Sequence, residues 1–241
     1  MQQQHTATFN IQRSGQRYFG DHGWLRSYHS FSFADYYDPA NQNWGALRVF
    51  NDDYIAAAQG FPAHPHRDME IVTYVLRGEL EHQDSMGNRG VVGPGGIQYM
   101  SAGTGVRHSE FNHSKTDELH LVQMWVMPAR AGEEPRYGQA QFDTAERSDR
   151  WLTVASGRAH DNTAVRLRQD AAMHVSRITP GAALEYAFDA ERYGFLFVAD
   201  GSVSLNGELL TAGDAVRMHA LPRLAIAGEG ELVLWDVPAA A

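Results

Sequence analysis

The chain contains no cysteine, which removes disulfides, zinc–thiolate sites, iron–sulfur clusters and cysteine nucleophiles together. Any metal must be carried by His, Asp or Glu. No apolar run is long enough to span a bilayer, and the start Met1-Gln2-Gln3-Gln4-His5 has neither the basic residues nor the apolar core of a secretory signal. A cytoplasmic protein is therefore expected. Positive charge is scarce, with 20 Lys and Arg against 29 Asp and Glu and a formal net charge of −9. Direct binding to nucleic acid or to an anionic membrane needs a basic surface and is not expected. Helical periodicity is missing too, apart from short pieces near residues 140–147.

What is present is β signal. Ser27 to Tyr37 is dense in aromatics, and the alternation His29, Phe31, Phe33 reads as a strand with one buried face, mainly core packing. Leu47 to Asn51 and Tyr54 to Ala58 read as two short strands, with Asn51-Asp52-Asp53 as the turn between them. Met69 to Leu76, Glu79 to Asp84, Ile97 to Met100 and Leu119 to Met127 follow as strands. Ser101-Ala102-Gly103-Thr104-Gly105 reads as a turn. The pattern then lapses, and the chain divides into a first domain at 1–132, a linker at 133–150 and a second domain at 151–241. After the linker the β segments resume, punctuated by the hairpin dipeptides Asp200-Gly201 and Asn206-Gly207. Short strands at this spacing indicate an all-β fold of barrels or sandwiches, with two halves alike in architecture.

One stretch carries chemistry. Successive side chains of a strand alternate between its faces, so His64 and His66 project together, as do His108 and Glu110. Three imidazoles and a carboxylate meeting inside a barrel would suit a divalent transition metal with coordination positions left open. The competing reading is a set of hydrogen-bonded polar residues on loops. Glu70 is a rival carboxylate, because an unbroken strand would place it on the face of His64 and His66; otherwise it is a structural hydrogen-bond acceptor. Residues 101–105 lack the Lys-Ser/Thr ending of a phosphate loop. His82, His113 and His120 read as structural residues. The second half holds only His160, His174 and His219 and no His-x-His pair, so one site per chain is expected.

The run His64-Pro65-His66-Arg67-Asp68-Met69-Glu70, with Glu81-His82-Gln83-Asp84-Ser85, Met100-Ser101-Ala102-Gly103-Thr104-Gly105 and Arg107-His108-Ser109-Glu110, closely resembles the pirin family of the cupin superfamily. His29-Ser30-Phe31-Ser32-Phe33 and Tyr36-Tyr37-Asp38-Pro39 extend the match over about the first 130 residues. The second half resembles the degenerate C-terminal cupin of bacterial pirin-like proteins. The resemblance implies a bicupin of two jelly-roll barrels with few short helices. It implies metal ligands at His64, His66, His108 and Glu110, in preference to Glu70. The ion would be one divalent transition metal, iron first, with Ni, Mn, Co, Cu or Zn also accommodated. The implied activity is that of a quercetin 2,3-dioxygenase, in which a flavonol is cleaved by O2 with release of CO and Glu110 accepts the substrate's hydroxyl proton. A regulatory module with a protein partner, and a cupin enzyme acting on another small molecule, are the alternatives. A monomer is expected.

Overall fold

The computed structural model describes residues 7–240, so the reading of Met1 to His5 lies outside it. Among the described residues the only helical pieces are a 3-10 turn at Ser14–Gln16 and one helical turn at Thr144–Arg147. Everything else regular is β, in two nine-stranded sheets, as the strand signals predict. Among the described residues no helix is long and apolar enough to cross a membrane.

The first sheet is built on its two longest strands, Gly60–Arg77 and Ile97–Asn112, which pair antiparallel along most of their length. Leu119–Val126, Leu47–Ile55 and Leu25–His29 follow in that order on one side. Leu80–Asp84 and Arg89–Val92 extend the other side. The second sheet is centred on Tyr193–Leu205 and Arg223–Val237. Two segments cross between the halves. Thr8–Gln12 pairs with Ala215–His219 of the second sheet, and Asp214 fastens it through the Arg13 guanidinium at 2.9 Å and the Ser14 amide at 2.8 Å. Arg136–Ala140, within the stretch read as a linker, pairs with Ile97–Ser101 of the first.

Two turn readings are corrected. Asn51-Asp52-Asp53 lies inside a single strand, Leu47–Ile55, and all three side chains are buried. Turn-forming residues are tolerated there because tertiary partners satisfy Asp52, namely Arg17 at 3.1 Å and His120 at 2.6 Å. Ser101 to Gly105 lies inside Ile97–Asn112 rather than ending a strand. Gly103 serves close approach: it has φ 46°, and a Cβ there would lie 2.0 Å from the Glu133 carbonyl oxygen. That carbonyl accepts the Thr104 amide at 2.8 Å.

Strand alternation sorts the side chains between two faces. One face of each sheet meets the other in a shared core, where Phe50, Tyr74, Val122 and Met124 pack with Phe195, Phe197, Val233 and Trp235. Each such side chain contributes roughly 1.5–3 kcal/mol relative to exposure, so the halves are held as one unit. The opposite face of the second sheet closes over Leu196, Val198, Met218, Leu232 and Leu234. In the first sheet the opposite face carries two small clusters, Leu25, Ile55, Leu119 and Leu121 in one, Ile71, Met100 and Val106 in the other.

Candidate metal centre

The paired strands Gly60–Arg77 and Ile97–Asn112 set His64 directly opposite His108. Pro65 holds the chain extended between His64 and His66, so both imidazoles face the same side. The three rings lie with centroids 4.5–4.8 Å apart, and one ring nitrogen from each falls within 4.8 Å of the others. His64 Nδ1 donates to the Pro62 carbonyl at 2.8 Å, which leaves its Nε2 as a bare lone pair. That atom faces His108 Nε2 at 3.0 Å. Burial, with the other imidazoles adding to it, pushes the His66 pKa down to about 3. Burial likewise lowers that of His108. Three imidazoles converging on one point are a donor set that fits a divalent transition metal.

Glu110 stands beside this trio, its Oε2 3.7 Å from His108 Nε2. The carboxylate is buried and held by two donors: Gln123 Nε2 to Oε2 at 2.9 Å and Thr73 Oγ1 to Oε1 at 3.4 Å. Gln123 is oriented in turn, since its Oε1 accepts the Trp125 indole N–H at 3.2 Å. Glu70 is elsewhere. Asp68 adopts φ 64°, and the register with the facing strand shifts between His66 and Asp68. Side-chain parity reverses at that point, so Ile71 and Thr73 face inward while Glu70 faces the second half. There the Glu70 carboxylate, fully buried, accepts the Tyr99 hydroxyl at 2.7 Å and the amides of Arg168 and Gln169 at 2.7 and 2.9 Å. The three histidines read as structural have other partners: His120 meets Asp52, His113 meets Glu81 at 3.0 Å, and His82 meets Tyr137 and Gln139.

His64 and His66 open onto a cavity of about 350 Å³. His64, His66 and Glu110 line one part of its wall, Trp24, Phe33, Phe61 and Trp125 make it aromatic, and Ser27, His29, Asn51 and Asp53 add a polar patch. Burial raises the Asp53 pKa to about 7, partly opposed by a hydrogen bond from Ser27. Burial drives His29 down to about 4. Thr73, Gln123, Asn51 and Asp53 were not singled out from sequence. The available signal was the alternation of Asn51 with Asp53, hidden by turn-like composition.

The pirin family profile matches residues 12–126, and that of the quercetinase C-terminal cupin domain matches residues 153–235. A quercetin 2,3-dioxygenase of Escherichia coli is 42% identical over 230 residues, covering 95% of this chain and 98% of that protein. The chain belongs to the pirin family. A pirin-like protein of Caulobacter vibrioides is 44% identical over 218 residues, 90% of this pirin and 94% of the relative. The crystal structure of the bacterial pirin YhhW of Escherichia coli in complex with nickel(II) superposes with a TM-score of 0.89 at 40% identity, covering 96% of this chain and all of that one (100%). The two sheets are accordingly the two halves of a bicupin.

Proposed function

We propose that this pirin binds one divalent transition metal through His64, His66, His108 and Glu110 and cleaves a flavonol such as quercetin with O2, releasing CO. The observation that carries the reading is the convergence of three imidazoles, with a fixed buried carboxylate beside them, at the edge of an aromatic cavity that His64, His66 and Glu110 line. The name of the Escherichia coli relative and the nickel(II) complex of YhhW support it. Iron is the first candidate, with Ni, Mn, Co, Cu and Zn compatible with the same donors.

A bound divalent ion supplies Lewis acidity toward the hydroxyl oxygen of the flavonol. The chain's own residues do the rest. Glu110 accepts the flavonol hydroxyl proton, and Gln123 and Thr73 hold its carboxylate in place for that transfer. Phe33, Phe61 and Trp125 stack on the flat substrate and exclude water from it. Pro62 keeps His64 in the tautomer that presents Nε2.

The test is to load the purified protein with Fe, Mn, Ni, Co and Cu separately and follow quercetin loss and O2 uptake. Turnover with at least one metal is expected. Absence of turnover with every metal would overturn the dioxygenase reading and favour a metal-dependent interaction module. Undiminished turnover in His66→Ala would overturn the ligand assignment. A Glu110→Gln protein that kept both its metal and full turnover would remove the base role.

A further inference from the structure

The cavity holds a second polar group that the metal centre does not use. His29 is paired directly across from Asn51, and Ser27 directly across from Asp53, on the adjacent strands Leu25–His29 and Leu47–Ile55. Residues two apart on a strand share a face, so the four side chains form a two-by-two block. All four line the cavity, and all are at most 5% exposed. The strand Leu119–Val126 separates this block from the strand bearing His64 and His66. Two rings bridge the gap: Phe33 lies 5.3 Å from Trp125, with His29 5.4 Å beyond it and His66 4.9 Å from the Trp125 ring.

The block is incompletely satisfied. His29 Nδ1 and Asn51 Oδ1 are buried with no hydrogen-bond partner, a condition that costs about 1–3 kcal/mol for each such atom. On the other face of the same strand, Asp52 is fully engaged by Arg17 and His120, so the strand readily supplies partners where they are needed. Buried polar atoms without partners, in residues that line a cavity, are suited to a ligand that brings the missing hydrogen bonds.

We propose that Ser27, His29, Asn51 and Asp53 form a second substrate subsite that binds phenolic hydroxyls on the part of the substrate remote from the metal. This rests on the flavonol reading and specifies it: the preferred substrate is a polyhydroxylated aromatic rather than a bare ring system. A phenolic hydroxyl both donates and accepts. It satisfies the Asn51 carbonyl oxygen and His29 Nδ1 in either tautomer, and the Ser27–Asp53 pair receives a neighbouring hydroxyl. Phe33 and Trp125 hold the apolar middle of the molecule.

The experiment uses nickel-loaded protein without O2, so that binding is read apart from turnover. Quercetin and 3-hydroxyflavone, which lacks the ring hydroxyls, are titrated against the wild type, Asn51→Leu and His29→Phe. The wild type is expected to prefer quercetin, and each variant to reduce that preference about tenfold, the loss of one net hydrogen bond of about 1.4 kcal/mol. Melting temperatures of the metal-free variants are expected to match or exceed the wild type, because an unpartnered buried polar group is removed. An unchanged preference, or a fall in melting temperature without a change in preference, overturns the subsite and assigns the block a structural role. Equal affinity of the wild type for the two compounds overturns the subsite alone. Failure to bind either compound overturns the flavonol reading together with it.

Discussion

The two barrels put the same kind of inward face to different use. In the second, the inner face closes over Leu196, Val198, Leu232 and Leu234. Its buried carboxylate, Asp236, is neutralised by Arg192 at 2.6 Å and Arg158 at 2.5 Å and accepts the Tyr186 hydroxyl at 2.8 Å. In the first, the inner face leaves two small apolar clusters on either side of a cavity. His64 and His66 line it with His108 beside them, and Asn51 and His29 leave polar atoms unpaired. A filled barrel gains apolar burial, whereas a hollow one gives up part of that gain to keep donors aimed at a ligand. The shared core joins the two halves.

The contrast can be broken first at the proposed ligands. His66→Ala is expected to weaken metal binding by about 100-fold or more, while the metal-free protein melts close to the wild type because no packed core is disturbed. Calorimetric metal titration and thermal melts check the two halves of that statement. Leu234→Ala should do the reverse. It removes a fully buried side chain from the filled barrel and should cost about 2–5 kcal/mol in urea denaturation, with metal affinity unchanged.

The connection between the halves gives a smaller effect. Glu70→Gln retains one acceptor but replaces the other with a donor facing the Arg168 or Gln169 amide. A loss of about 1–3 kcal/mol is expected, with faster hydrogen exchange at those two amides. The last effect is a slope. Burial holds the His174 pKa down to about 4 in the folded chain, against about 6.5 when unfolded. Between those values the unfolded state binds the extra proton, so stability falls as pH falls from about 6.5 to about 4. His174→Gln should flatten this acid limb by at most about 1.4 kcal/mol per pH unit, measured as urea midpoints at several pH values.

Local periodicity made part of the site legible. The spacing of two in His64-Pro65-His66 and in His108-Ser109-Glu110 is itself the geometry that puts each pair on one face. The parity reversal at Asp68 was not legible, because no local pattern announces a positive φ at an aspartate. It is that reversal which sends Glu70 to the interface between the halves. The strand through Asn51 to Asp53 was hidden for another reason: its polar residues are stabilised by Arg17 and His120, 35 and 68 positions from Asp52. The exchange of Thr8–Gln12 into the second sheet is likewise a tertiary event, decided by Asp214 some 200 residues from Ser14. The all-β class needed only frequent strands and turns, and those are written locally.

The central claim is that metal chemistry is confined to the hollow barrel. The most direct measurement is the metal content per chain after saturation and removal of free ion, for the wild type and for a variant carrying His64→Ala, His66→Ala and His108→Ala together. One ion per chain in the wild type and none in the variant is the predicted result; two ions per chain, or an ion retained by the variant, would contradict it.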